Sequence, residues 1–133
     1  MVWYLDTSAF LKLIVAEQES DATRAWLVDN GPAWSSQLLR TEALRAARRL
    51  GLDARSVHDA IETVSLVLPS VSTFLTAGSL EPSELRSLDA LHLATALELG
   101  ADLEGMVTYD VRMARAATAA SVSVVAPGGS EGD

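Results

Sequence analysis

The chain has 133 residues, 49% of them hydrophobic and 21% charged, which is one domain's worth of polypeptide with ample material for a core and excludes a multidomain assembly or global disorder. Ten Lys and Arg against eighteen Asp and Glu give a net charge of −8 and a pI of about 4.6, which taken alone argues against a nucleic-acid partner, because phosphate is met by basic residues. Cysteine is absent, excluding a disulfide scaffold, a thiolate metal site and a cysteine nucleophile.

The opening MVWYLDTS lacks the basic start of a signal peptide and meets an acid at Asp6, and no apolar run lasts the roughly 18 residues of a membrane span. A soluble, cytoplasmic protein is expected. Short apolar runs over 2–5, 33–35, 66–68, 106–108 and 122–125, most of them β-branched or aromatic, predict five strands. Longer patterns between them predict helices over 8–15, 20–30, 36–50, 53–65, 70–77, 83–99 and 111–119. The stripe Val57, Ala60, Ile61 and Val64 behind Asp53 as N-cap is the clearest helical signal. Gly31-Pro32, Gly51, Pro69, Gly78, Pro82 and Gly100 fall at the joints.

Strands separated by helices imply right-handed crossovers and a mainly parallel sheet covered on both faces, a three-layer α/β domain. Residues 1–126 form this domain, and 127–133, PGGSEGD, are expected to be a flexible tail with nothing to pack against.

In such a sheet the functional crevice lies beyond the carboxyl ends of the strands. The first strand runs into Asp6, Thr7 and Ser8, and the fourth runs into Asp110. Capping explains Asp110 about as well as function does, because it precedes the helix VRMARAA. It explains Asp6 less well, with Thr7 and Ser8 offering caps beside it. Asp89 starts SLDALHLATALEL, a helix apolar nearly all round, and Arg86 is its one nearby cation on that helix. A lone buried carboxylate costs several kcal/mol, on the order-of-magnitude scale, unless paired or bound to metal, so Asp89 reads as functional. His92, one turn on, reads as a satisfied packing residue and stays outside the site. Glu42 stays undecided, since an acid early in a helix complements the macrodipole and can pair with Arg45. Carboxylates converging without a basic neighbour would raise one another's pKa. An oxygen-only set suits Mg²⁺ or Mn²⁺ and phosphodiester hydrolysis.

YLDTSAFLKL, RTEALRA, LRSLDALHLATAL and VTYDVRM together resemble the PIN-domain family, and more narrowly the VapC-type toxins of toxin–antitoxin pairs, in order and spacing from residue 2 to about 125. The resemblance implies a Mg²⁺- or Mn²⁺-dependent endoribonuclease on a five-stranded parallel sheet, acting on RNA such as tRNA or rRNA. Its acidic quartet carries over to Asp6, Glu42, Asp89 and Asp110, with Ser8 and its neighbour Thr7 in support, and so settles Glu42. In the mechanism this implies, the quartet holds the metal, Asp6, Asp89 and Asp110 directly or through water and Glu42 by binding or orienting the metal-bound water that attacks, and hydrolysis leaves a 5′-phosphate and a 3′-hydroxyl. The resemblance also implies a homodimer, a small VapB-type antitoxin that blocks the site, and promoter DNA bound only through that antitoxin. Trp3, Trp26, Trp34 and Phe10 are candidate dimer contacts, with a place in the core the stronger reading for Trp3 and Trp34.

Other acidic-edge chemistries fit less well. A receiver domain needs a late Lys, and the single lysine is Lys12; a haloacid-dehalogenase-type phosphatase needs D-x-D where this chain reads Asp6-Thr7-Ser8. No Gly-rich phosphate loop occurs. A fold of this kind that only binds RNA or protein is the surviving alternative, and an intact quartet argues against it. The net charge now reads differently. Four of the eighteen acids belong to the site, and Arg40, Arg45, Arg48, Arg49 and Arg55 gather in sixteen residues as a candidate phosphate-contacting face or, on the blander reading, a solvated helix surface.

Overall fold

Side-chain alternation along the first strand sets the architecture. Neighbouring strand residues point to opposite sides of a sheet. In β1 (Val2–Leu5), Leu5 enters a core with Phe10, Leu39, Ala43, Val57 and Ile61, while Tyr4 enters a second core with Leu93, Met106, Met113 and Ala117. The same split recurs in β4, where Val107 joins the first core and Met106 the second. The sheet is therefore buried on both faces, as parallel sheets must be.

The computed structural model describes residues 1–129. In chain order they form β1, α1 (Thr7–Ile14), α2 (Ser20–Asn30), β2 (Ala33–Ser36), α3 (Leu38–Leu50), α4 (Ala54–Ile61), β3 (Ser65–Val67), α5 (Val71–Gly78), α6 (Ser87–Leu97), β4 (Leu103–Val107), α7 (Val111–Ala119) and β5 (Val124–Val125). The five strands run β3-β2-β1-β4-β5, and every pairing is parallel. Helices α1, α3 and α4 cover one face, and α6 and α7 cover the other. This is the expected three-layer α/β/α arrangement. The chain builds outward from β1 in one direction and then returns to its other side, so the topological switch lies between β1 and β4, where such folds place their sites.

Local chemistry explains where elements begin and end. Asp53 caps α4 through the amide of Ser56, as the sequence predicts, and α3 stops at Gly51, whose left-handed φ of 70° suits glycine. Helix α4 is shorter than expected, yet Val64 still reaches the core because Glu62, Thr63 and Val64 continue in tight turns. Strand β4 starts earlier than its apolar run. Gly105 permits this, since a Cβ there would lie 2.6 Å from both the Trp3 ring and the Ser123 carbonyl. Strand β5 starts later, because the turn after α7 runs through Ser121 at φ 66° and the Val122 amide still bonds to the Ala117 carbonyl at 2.9 Å.

Two expectations need correction here. The start of the tail does have partners: the Tyr109 hydroxyl donates to the Pro127 carbonyl at 2.6 Å, and at Gly128, with φ of +76°, a Cβ would come within 2.7 Å of Ala22. Residues 130–133 lie outside the described part. Phe10 is no surface contact, being fully buried. Trp3 and Trp26 pack edge-to-face, with centroids 4.8 Å apart, beside the first core.

Candidate active site

Asp6 leaves β1 at the switch point and is itself the N-cap of α1. Its Oδ1 accepts from the Ser8 hydroxyl at 2.6 Å and the Ala9 amide at 3.0 Å, and its Oδ2 accepts from the Thr108 hydroxyl. The cap therefore belongs to Asp6 and not to Thr7 or Ser8, which are the first two residues inside the helix. Asp6 is only 3% exposed. Burial pushes its carboxyl up, against the pull of those hydrogen bonds. Among the described residues no Lys or Arg pairs with Asp6: Lys12 pairs with Glu17 and Glu19, Arg24 with Asp21, and Arg40 lies 4.0 Å from Glu62.

Thr108 ties the two strand ends together. Its hydroxyl serves Asp6 and accepts the Asp110 amide at 3.1 Å, while the Ser8 hydroxyl accepts the Tyr109 amide at 2.9 Å. Asp110 then caps α7, with Oδ1 accepting from the amides of Arg112 and Met113. Both aspartates thus cap a helix from the same edge of the sheet.

Glu42 sits in the second turn of α3, since the helix begins at Leu38, so the macrodipole reading does not apply, and it makes no pair with Arg45. Its Oε1 accepts instead from Thr7 Oγ1 at 2.7 Å and from His92 Nε2 at 2.7 Å. Burial would raise its carboxyl, but the hydrogen bonds from His92 and Thr7 hold it below the ordinary glutamate value. Asp89, half-buried at the start of α6, moves the other way. Burial raises it, the neighbouring charges of Asp110 and Glu42 raise it further, and Arg86 offsets part of this.

The structure brings Asp6, Glu42, Asp89 and Asp110 to one edge of the sheet, where the charges of Asp110 and Glu42 reach Asp89. It does not gather them around one point: among the described residues no three His, Asp or Glu side chains are close enough to hold an ion as they stand. The oxygens of Asp6 and one of Asp110 are turned into caps and hydroxyl contacts. The donor set is nonetheless all oxygen, and it includes a desolvated aspartate without a cation, so in kind it fits a hard divalent ion that keeps several waters. His92 is no candidate ligand, because both ring nitrogens are engaged. Sequence reasoning missed His92 and Thr108 as members of the site; the polar His92 within LHLATAL was the available signal.

A cleft of about 680 Å³ opens beside Thr108 and Asp110, with Lys12, Trp26, Tyr109 and Pro127 in its walls. Arg45, Arg48 and Arg49 are exposed on α3, the helix that carries Glu42, and Arg55 is exposed at the start of α4. Glu42, Arg45 and Arg49 share a face by helical spacing.

Residues 3–119 match the PIN domain family. The chain is 46% identical to Ribonuclease VapC46 of Mycobacterium tuberculosis, over 93% of this chain and 96% of that one. It is 42% identical to Ribonuclease VapC35 of the same organism, over 94% and 96% of the two chains, and 37% identical to Ribonuclease VapC47, over 83% and 85%. The chain belongs to the PIN-domain family, and within it to the VapC group.

Proposed function

We propose that the protein is a VapC-type toxin, an endoribonuclease that hydrolyses RNA phosphodiesters with Mg²⁺ or Mn²⁺ and is held in check by its cognate VapB-type antitoxin. The observation that carries this reading is Asp6, a buried carboxylate without a cation at the switch point, sharing one sheet edge with Glu42, Asp89 and Asp110. The family membership and the ribonuclease names of its relatives support it from outside the geometry.

Asp6, Asp89 and Asp110 would hold the divalent ion, which supplies positive charge against the carboxylates and the scissile phosphate. The remaining work falls to the chain's own groups. Ser8 and Thr108 fix the Asp6 carboxylate. Thr7 and His92 occupy Glu42 Oε1, which leaves Oε2 to accept a proton from the attacking water and aim it at phosphorus. Arg45, Arg48, Arg49 and Arg55 offer phosphate contacts along α3 and α4, positioning the strand without reading its sequence. Transfer RNA and ribosomal RNA are the substrate classes proposed.

The same charge distribution supports the antitoxin. Carboxylates without cations at an open edge favour a basic segment that competes with metal, and promoter DNA would be reached through that partner alone. Among the described residues no helix is long and apolar enough to cross a membrane, and an RNA substrate places the protein in the cytoplasm. Residues 1–126 carry all of this as one domain.

Metal binding has a direct test. Occupation of the native state alone raises stability with ligand concentration, by about 2.7 kcal/mol at a hundred times Kd. The melting temperature should therefore rise with millimolar Mg²⁺ or Mn²⁺ over its value in chelator, and an unchanged melt would contradict the site.

A homodimer is proposed on α5. Val71, Phe74 and Leu75 are 76%, 53% and 71% exposed, and Leu68 just before the helix is 77% exposed. Four large apolar side chains in eight residues exceed the isolated exposure of an ordinary surface. Phe74→Glu should weaken dimerisation by at least about 10-fold, placing a charge where an apolar anchor packs. Sedimentation equilibrium with an unchanged dimer constant would rule out this face.

A further inference from the structure

We propose that His92 is a positioning residue for Glu42, set as an Nε2–H donor by the buried hydroxyl of Tyr4. The inference deepens the proposed function and rests on it for the role of Glu42, but its geometry stands separately. Tyr4 Oη lies 2.7 Å from His92 Nδ1, and His92 Nε2 lies 2.7 Å from Glu42 Oε1. Tyr4 and His92 are 0% and 1% exposed. A hydrogen-bonded line thus runs from the core behind the sheet to the carboxylate at its edge.

The direction of each bond follows from what the ends can do. An ionised carboxylate only accepts, so Nε2 must carry the proton it shares with Glu42. A neutral imidazole then has Nδ1 bare, and a buried bare nitrogen needs a donor. Tyr4 is that donor. Burial pushes its phenol further up and keeps it protonated. The hydroxyls of Ser35 and Thr95 beside it have committed their own protons to the carbonyls of Leu5 and Leu91, each at 2.7 Å.

The consequence falls on Glu42. With Thr7 and His92 both donating to Oε1, the carboxylate is pinned by one oxygen and the other is left for chemistry. Helix α6 then serves the site twice, through Asp89 directly and, one turn later, through His92 acting on α3. With its proton on Nδ1 instead, the imidazole would place a bare nitrogen against a carboxylate, and Glu42 would lose its anchor.

Nitrogen NMR of the full-length wild-type protein, labelled at histidine and free of RNA, tests the tautomer. The expected spectrum shows His92 with a protonated Nε2 and a bare, hydrogen-bonded Nδ1, and Tyr4→Phe shifts the Nδ1 signal. A proton on Nδ1 overturns the proposal. For positioning, Tyr4→Phe should lower kcat about 10-fold with KM unchanged, since loss of orientation acts on the reacting step. His92→Gln, whose amide N–H can reach Glu42 without help from Tyr4, should recover most of the activity that His92→Leu loses. In that background Tyr4→Phe should be silent, and full additivity of the two changes would overturn the coupling. A wild-type protein that cuts no RNA yet shows this tautomer contradicts the proposed activity, whereas a cutting protein with its proton on Nδ1 contradicts the positioning alone.

Discussion

Asp6→Asn is expected to reduce RNA cleavage by about 100-fold or more, the scale on which losing one preorganised charged group acts, while making the protein more stable at neutral pH. Asparagine keeps the cap, because its carbonyl can still accept from Ser8 and Ala9, and Thr108 can accept where it formerly donated. What disappears is a buried charge. The folded-state pKa of Asp6 is raised above its unfolded value, so its contribution to stability is complete below the ordinary aspartate value and is lost as pH rises through the raised one. The variant lacks that loss. Measured in chelator, its melting temperature should exceed the wild type's at pH 7, and the gap should close toward about pH 4, near the ordinary aspartate pKa. A variant that melts lower at pH 7 and keeps its activity would mean that Asp6 is only a cap.

The second large effect belongs to Asp89. Asp89→Asn should also reduce cleavage by about 100-fold, and it should abolish most of the metal-dependent rise in melting temperature. Its carboxyl is raised by burial and then by Asp110 and Glu42, so neutralising it relieves repulsion in the empty site and removes a donor from the filled one. The two effects have opposite signs in chelator and in metal. Calorimetric titration with Mn²⁺ checks this directly, and an unaltered binding isotherm would remove Asp89 from the metal site. Glu42 provides the contrast: its lowered carboxyl contributes stability above the ordinary glutamate value, and that contribution is lost as pH falls through the lowered one.

The architecture was legible in the sequence because it rests on local patterns. The Val57 to Val64 stripe, the Asp53 cap and the glycine and proline joints all act within a few residues. Asp6, Asp89 and Asp110 were legible for a related reason, since a strand end or an apolar helix makes a carboxylate conspicuous. The choice between capping and function was not. Asp6 and Asp110 do cap helices, and that does not decide against a metal role, because the N–H groups of a helix start and a cation both attract the same oxygen. Glu42 was undecided from spacing, as Arg45 at i+3 offered a partner that the fold does not use. Its actual partners, Thr7 and His92, lie 35 and 50 residues away in sequence. Thr108, 102 residues from Asp6, and Tyr4, 88 from His92, are beyond any periodicity argument. Strand β4 was cut short for a similar reason, since its first residues owe their pairing to Trp3 and a glycine and not to their own apolar character.

The central claim is that the carboxylate edge cuts RNA, and one measurement meets it most directly. Purified wild-type protein and its Asp6→Asn variant, each freed of antitoxin, are incubated with total cellular RNA and Mg²⁺ or Mn²⁺, and the new ends are mapped. The account predicts discrete cuts in tRNA or rRNA bearing 5′-phosphates and 3′-hydroxyls, made by the wild type, suppressed by chelator and missing with the variant. Equal cutting by both proteins, or cuts that persist in chelator, would contradict it.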